Sequence, residues 1–74
     1  MSDPQIKHFR YNATEFKVAF YHAMYVYAKA QAEGVDLSGD PHDDWEWSYD
    51  GEIWGDGGGE VPSFSYGTIY RWKF

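Results

Sequence analysis

Cysteine is absent from this chain, so disulfides and thiolate zinc sites, two of the usual staples of a small domain, are excluded. Long apolar runs are missing too. None approaches the ~20 residues of a membrane span, and the opening Met1-Ser2-Asp3-Pro4 has neither the basic nor the apolar region of a signal peptide. The expectation is a mature, soluble, cytoplasmic protein. Between Asp36 and Glu60 there is no lysine or arginine at all, and over the whole chain they number only six, giving a net charge of −6. That argues against a phosphate-backbone binder, which needs clustered cations.

What the 74 residues hold instead is acid and aromatic area. Nine carboxylates fall in Asp36–Glu60 (Asp36, Asp40, Asp43, Asp44, Glu46, Asp50, Glu52, Asp56, Glu60), while the rest of the chain sets three acids against six bases. Such a molecule is electrically polarised and steers basic partners toward its acidic end. Sixteen Phe, Trp and Tyr residues, each able to bury roughly 150–250 Å², supply the core that a chain this short otherwise lacks. Three of the four tryptophans lie in the acidic stretch.

Residues Gln5–Tyr11 suit a short strand by their β-branched and aromatic content. Asn12 with Glu15 three positions later forms an Asn version of the capping box and predicts a helix from Ala13, with Gly34 as its stop. Its core stripe is Phe16, Ala19, Phe20, Ala23, Tyr27 and Ala30, edged by Met24. Val18, Tyr21, Tyr25, Ala28 and Ala32 cluster on the opposite side. Two readings of that second face stay open: a face covered by sheet and loop with tyrosine hydroxyls reaching water, or a contact surface for a partner or a second copy.

After a loop at 34–42, Trp45, Trp47 and Tyr49 alternate with Asp44, Glu46 and Ser48, the period-2 pattern of a strand over Asp43–Tyr49. Asp50-Gly51 is a favoured type I′ pair, and a two-residue turn there sets Trp47 opposite Trp54, tryptophans inward and carboxylates outward. The run Gly55-Asp56-Gly57-Gly58-Gly59 is expected to leave the strand as a mobile loop. Residues 60–74 then make one bent strand or a hairpin about Gly67, with Tyr70, Trp72 and Phe74 on one face and Ile69, Arg71 and Lys73 on the other. The fold class expected is α+β, a single domain over 1–74 with one long helix packed on an antiparallel sheet of three to five strands.

Catalytic and cofactor chemistry find little support. The chain has five serines and three histidines (His8, His22, His42) but no Gly-x-Ser-x-Gly elbow, and 74 residues hardly build the cleft that raises a carboxylate pKa. Neither Asp40, His42, Asp43 and Asp44 nor Asp50, Glu52 and Asp56 match a calcium loop or a zinc helix, and the glycine run lacks the ending of a phosphate loop. The expectation is therefore no enzyme, no metal and no cofactor.

Binding remains. Alternate residues of a strand are about 6.6–6.8 Å apart, so Asp44, Glu46 and, beyond Ser48, Asp50 trace roughly every second phosphate of a nucleic-acid strand. Glu52, Asp56 and Asp43 add to that face, and Tyr21 and Tyr25 form a second candidate contact. A short, cysteine-free, acidic, aromatic-rich chain with the segment DPHDDWEWSYDGEIWGDGGGE resembles the small inhibitor proteins that phages deploy against host defence, including the anti-CRISPR and DNA-mimic anti-restriction classes. The likeness is of size and character and transfers no residue role. It implies a protein, in the host cytoplasm if phage-encoded, that blocks target-DNA binding by docking on a Cascade-type subunit or a nuclease. The partner is then a basic protein surface rather than nucleic acid or membrane, and the protein a monomer or homodimer. Two other classes stay in view: a carbohydrate-binding module stacking sugars on Trp45, Trp47 and Trp54, and a small structural or virion subunit assembling through Tyr21, Tyr25 and edge strands.

Overall fold

A computed structural model describes residues 9–36 and 39–73. The helix α1 (Ala13–Ala32) begins where its capping residues say it must. Asn12 Oδ1 accepts from Glu15 N–H at 2.8 Å while Glu15 Oε1 accepts from Asn12 N–H at 3.0 Å, so two otherwise orphaned donors are satisfied reciprocally. At the other end Gly34 adopts φ +81°, Val35 N–H reaches Ala30 O at 2.8 Å and Gly34 N–H reaches Gln31 O at 3.0 Å. This is a Schellman ending, and the left-handed position is what requires glycine there.

Three antiparallel strands, β1 (Trp45–Ser48), β2 (Gly55–Asp56) and β3 (Ile69–Trp72), lie in the order β2-β1-β3. With α1 packed against β3 the architecture is α+β, as the alternation and capping signals imply. Tyr11 extends the sheet by one bridge to Tyr70, with N–H···O bonds of 2.8 and 2.9 Å in both directions. Of the expected strand Gln5–Tyr11, residues 5–8 lie outside the described residues, as does Phe74, and of residues 9–11 Tyr11 alone pairs with the sheet.

The core is aromatic. Phe16 and Phe20 are fully buried, Phe16 stacked on Tyr70 at 5.0 Å and Phe20 nearly parallel to Trp72 at 6.2 Å. Trp45 closes the cluster, its indole N–H donating to Glu60 O at 2.8 Å, so the one polar atom of that ring is paired on burial. Ala19, Ala23, Met24, Tyr27 and Ala30 are half-buried, which confirms the stripe and weakens it toward the helix C-terminus. Phe64 enters from the loop before β3 with φ +54°, a strained value for a non-glycine residue; its ring lies 6.1 Å from Phe20 and 5.8 Å from Tyr21.

The hairpin differs from its expected form. Trp47 pairs with Gly55 rather than Trp54, and residues 49–54 make a six-residue loop in place of a two-residue turn. The cause is side-chain competition for the turn amides: Ser48 Oγ accepts from Asp50 N–H and Gly51 N–H, and Asp50 Oδ1 from Glu52 N–H and Ile53 N–H. Trp54 consequently faces away from the core, under Arg71 at 3.9 Å. The first glycines of the run are not a loop. Gly55–Asp56 is β2, and Gly57 N–H continues the pairing to Trp45 O at 3.0 Å. Strand β1 starts at Trp45 rather than Asp43 because Pro41–Asp43 form a 3₁₀ turn capped by Asp40. Of the described residues 60–73, Ile69–Trp72 alone is strand; Ser65–Thr68 is a turn, with Thr68 N–H on Ser65 O at 3.1 Å.

Candidate binding surface

Each acid of the expected phosphate-like face has its own surroundings. On β1, Glu46 lies opposite Arg71, whose Nε–H donates to Glu46 Oε1 at 2.8 Å. Asp56 on β2 accepts from Gly58 N–H at 2.9 Å and from Lys73 Nζ at 3.0 Å. The basic outer face of β3 thus offsets the acids beside it, and these two carboxylates are internally matched. Asp50 is spent on the loop, Oδ1 taking Ser48 Oγ at 3.1 Å as well as the two amides, while no donor among the described residues reaches Oδ2.

Asp43 ends the 3₁₀ turn and Asp44 caps it, with Asp40 nearby. Asp40 Oδ1 is held 2.8 Å from His42 Nδ1. Asp43 and Glu52 are exposed and have no hydrogen-bonded or ion-paired side chain among the described residues. The line of charge expected along β1 is therefore broken at Glu46, and the other acids of that face without a cation lie at two places, Asp43 and Asp44 at the 3₁₀ turn and Asp50 and Glu52 in the 49–54 loop. Glu46 and Asp56 face cations and Asp40 faces His42, so six of the nine carboxylates have neither an ion-pair nor a histidine partner among the described residues.

Titration follows the same geometry. The backbone N–H groups of Glu52 and Ile53, then the Ser48 hydroxyl, hold Asp50 below the ordinary carboxylate range; Gly58 N–H and then Lys73 do so for Asp56, and the His42 backbone and ring for Asp40. A pKa lower in the folded than in the unfolded chain adds stability that is present above about pH 4 and lost as acid protonates the group. Asp44 goes the other way, raised first by burial and then by Asp43. Its ionised form destabilises the folded state at neutral pH, and the penalty vanishes once the group is protonated in both states. Asp44→Asn is accordingly expected to raise the thermal midpoint by a few degrees near neutral pH and to leave it unchanged at about pH 3. Melting curves at the two pH values check this, and equal gains at both would contradict it.

The chain matches no protein-family model, no curated protein and no solved structure. Its surface has to be judged on its own geometry.

Tyr21 and Tyr25 are 51% and 63% exposed, with Val18 beside them at 70%. Tyr21 rests against Phe20 and Phe64, so the second helix face is covered at that one point and open beyond it. Trp45 is buried, and Trp54 is covered by Arg71 with Arg10 at 5.6 Å, so the three indoles do not form a shared open platform for a sugar. No group of three or more His, Asp or Glu side chains among the described residues is gathered to hold a metal ion, and no helix there is long and apolar enough to cross a membrane.

The stacking of Arg71 on Trp54 and the exposure of Tyr49 (76%) and Ile53 (78%) escaped the sequence reading. Both depend on loop length, which decides the face each residue takes. One signal was there to use: Trp45-x-Trp47 is matched by Gly55-x-Gly57, the spacing expected when one strand's backbone lies against its neighbour's indoles.

Proposed function

We propose that this protein is a binding protein rather than a catalyst, an inhibitor whose carboxylates occupy the basic nucleic-acid channel of a partner such as a guide-RNA surveillance complex or a restriction nuclease. The observation that carries the reading is the surplus of six carboxylates with no ion-pair or histidine partner among the described residues, confined to one third of the chain. A channel built for phosphates supplies the missing counter-charges. Asp43, Asp44, Asp50 and Glu52 bear the larger share of the contact, Glu46 and Asp56 a smaller one because Arg71 and Lys73 already neutralise them, and Tyr21 and Tyr25 supply an aromatic second contact. The resemblance to phage inhibitors of host defence fits this reading, in which the protein acts in the cytoplasm of the infected cell.

The test is displacement of a fluorescent DNA duplex from purified complexes of these two kinds. Stoichiometric release is expected from at least one of them, weakening as salt is added because exposed charges are screened within about 8 Å at physiological ionic strength. Joint reversal of Asp43 and Glu52 to lysine, at exposed positions that leave the Glu46–Arg71 pair intact, should weaken release about tenfold or more and flatten its salt dependence. Release unaffected by that reversal would remove the mimicry mechanism.

A further inference from the structure

The 49–54 loop carries a feature that charge alone does not explain. Trp47, Tyr49, Ile53, Trp54 and Gly55 line a largely apolar cleft of about 270 Å³, with Asp50 at its margin. Tyr49 and Ile53, its outer walls, are more than three-quarters exposed, an unusual position for large apolar side chains set beside carboxylates. The ring of Tyr49 stands edge-on to Trp47 at 5.2 Å. The loop is also held in shape before any partner arrives, by the four amide bonds that Ser48 and Asp50 accept. A preorganised aromatic cleft loses little conformational freedom on binding, which is the setting in which a few residues dominate an interface.

We propose that this cleft receives an arginine side chain of the partner protein, the methylene stem lying between Tyr49 and Ile53 and the guanidinium reaching Asp50 Oδ2 and Glu52. The inference rests on the reading of the protein as one that binds a basic surface, and it names the side chain that surface must offer. The chemistry is already displayed within the chain: Arg71 stacks on Trp54 at 3.9 Å while its Nε–H donates to Glu46 at 2.8 Å, an indole and a carboxylate sharing one guanidinium. Arg71 and Arg10 already take Trp54, so what the cleft offers to a side chain from outside is the aromatic wall of Trp47 and Tyr49 with the Asp50 carboxylate beside it. Asp50 is exposed and its Oδ2 has no donor among the described residues, and Glu52, outside the cleft lining, is an exposed carboxylate two residues on. Lysine is the poorer occupant, because its compact ammonium is more strongly hydrated and cannot bridge two acceptors in a plane.

The test is a titration followed through the indole N–H resonances of Trp47 and Trp54 and the amide of Ile53, with the peptide acetyl-Gly-Arg-Gly-amide and its lysine and citrulline counterparts as probes. Saturable shifts are expected with arginine, several-fold weaker affinity with lysine and no saturation with uncharged citrulline. Tyr49→Ala and Ile53→Ala, both outside the core, should each weaken the arginine titration about tenfold. Glu33→Gln, at an exposed acid of the helix end outside the cleft lining, should leave it unchanged. Arginine and lysine binding alike, with no loss in either alanine variant, would overturn the cleft while leaving the acidic-surface reading intact; arginine binding in the cleft without duplex displacement would overturn that reading alone. Shifts at these resonances that grow with protein concentration before any peptide is added would assign the cleft to a second copy of the chain, and no shift at all would also overturn the proposal.

Discussion

Phe16→Ala is expected to remove most or all of the cooperative folded state. The ring has no exposed surface and lies within 6.5 Å, centroid to centroid, of Tyr11, Phe20, Trp45, Phe64, Tyr70 and Trp72, so helix, loop and both long strands lose their common neighbour at once. Truncating a buried phenylalanine costs about 3–5 kcal/mol. A chain of 74 residues has roughly 4–11 kcal/mol in total, at about 0.05–0.15 kcal/mol per residue. The variant should melt about 15–30 °C lower, or show no transition at all, by tryptophan fluorescence and near-ultraviolet circular dichroism. Phe16→Leu should recover part of the loss by filling part of the volume. A fall of less than about 5 °C for the alanine variant would mean that the aromatic cluster is not the organising core.

Gly57→Ala is the second large effect, and its cause is the reverse: too much matter rather than too little. A methyl group at Gly57 would overlap the Trp45 indole, whose own movement is blocked by Phe16, Tyr70 and the bond to Glu60 O. The expected cost is about 1–3 kcal/mol, a drop of roughly 5–20 °C. Gly55→Ala meets Trp47 at 2.6 Å and should cost less, since that ring is only half-buried and can swing outward. Gly58→Ala serves as the control: nothing lies within 4 Å, and only its φ of +71° is disturbed. If Gly57→Ala is no worse than Gly58→Ala, the backbone does not lie on the indole as described.

Local rules accounted for the helix almost entirely. Asn12, Glu15 and Gly34 act through bonds to residues a few positions away, so their meaning survives without tertiary knowledge. The alternation at 45–48 and 69–72 likewise identified β1 and β3, the core face of each, and the cations on the outer face of β3 that came to rest on Glu46 and Asp56. The 49–54 loop and the glycine run resisted for a shared reason. Asp50-Gly51 has the composition of a tight turn, yet Ser48 and Asp50 draw the amides into a wider loop, and Arg10 Nη1 would stand 2.7 Å from any side chain placed at Gly51. The small size of Gly51, Gly55 and Gly57 thus serves approach by another side chain, which no window of neighbouring residues reveals. The acids were legible as a total and not as a pattern, because whether a carboxylate faces a partner or an internal cation depends on the strand pairing.

The position of β3 in the sheet bears on when this protein acquires its shape. Tyr70 and Trp72 supply the surfaces on which Phe16 and Phe20 lie, and Tyr11 finds its bridge there as well. A ribosome adding about 5–20 residues per second makes Tyr70 roughly 3–11 s after Phe16. During that interval the capped helix can form by itself, but its phenylalanines have nowhere to go. Chaperone occupancy of the nascent chain should therefore persist until residues 70–72 emerge and fall abruptly once they do.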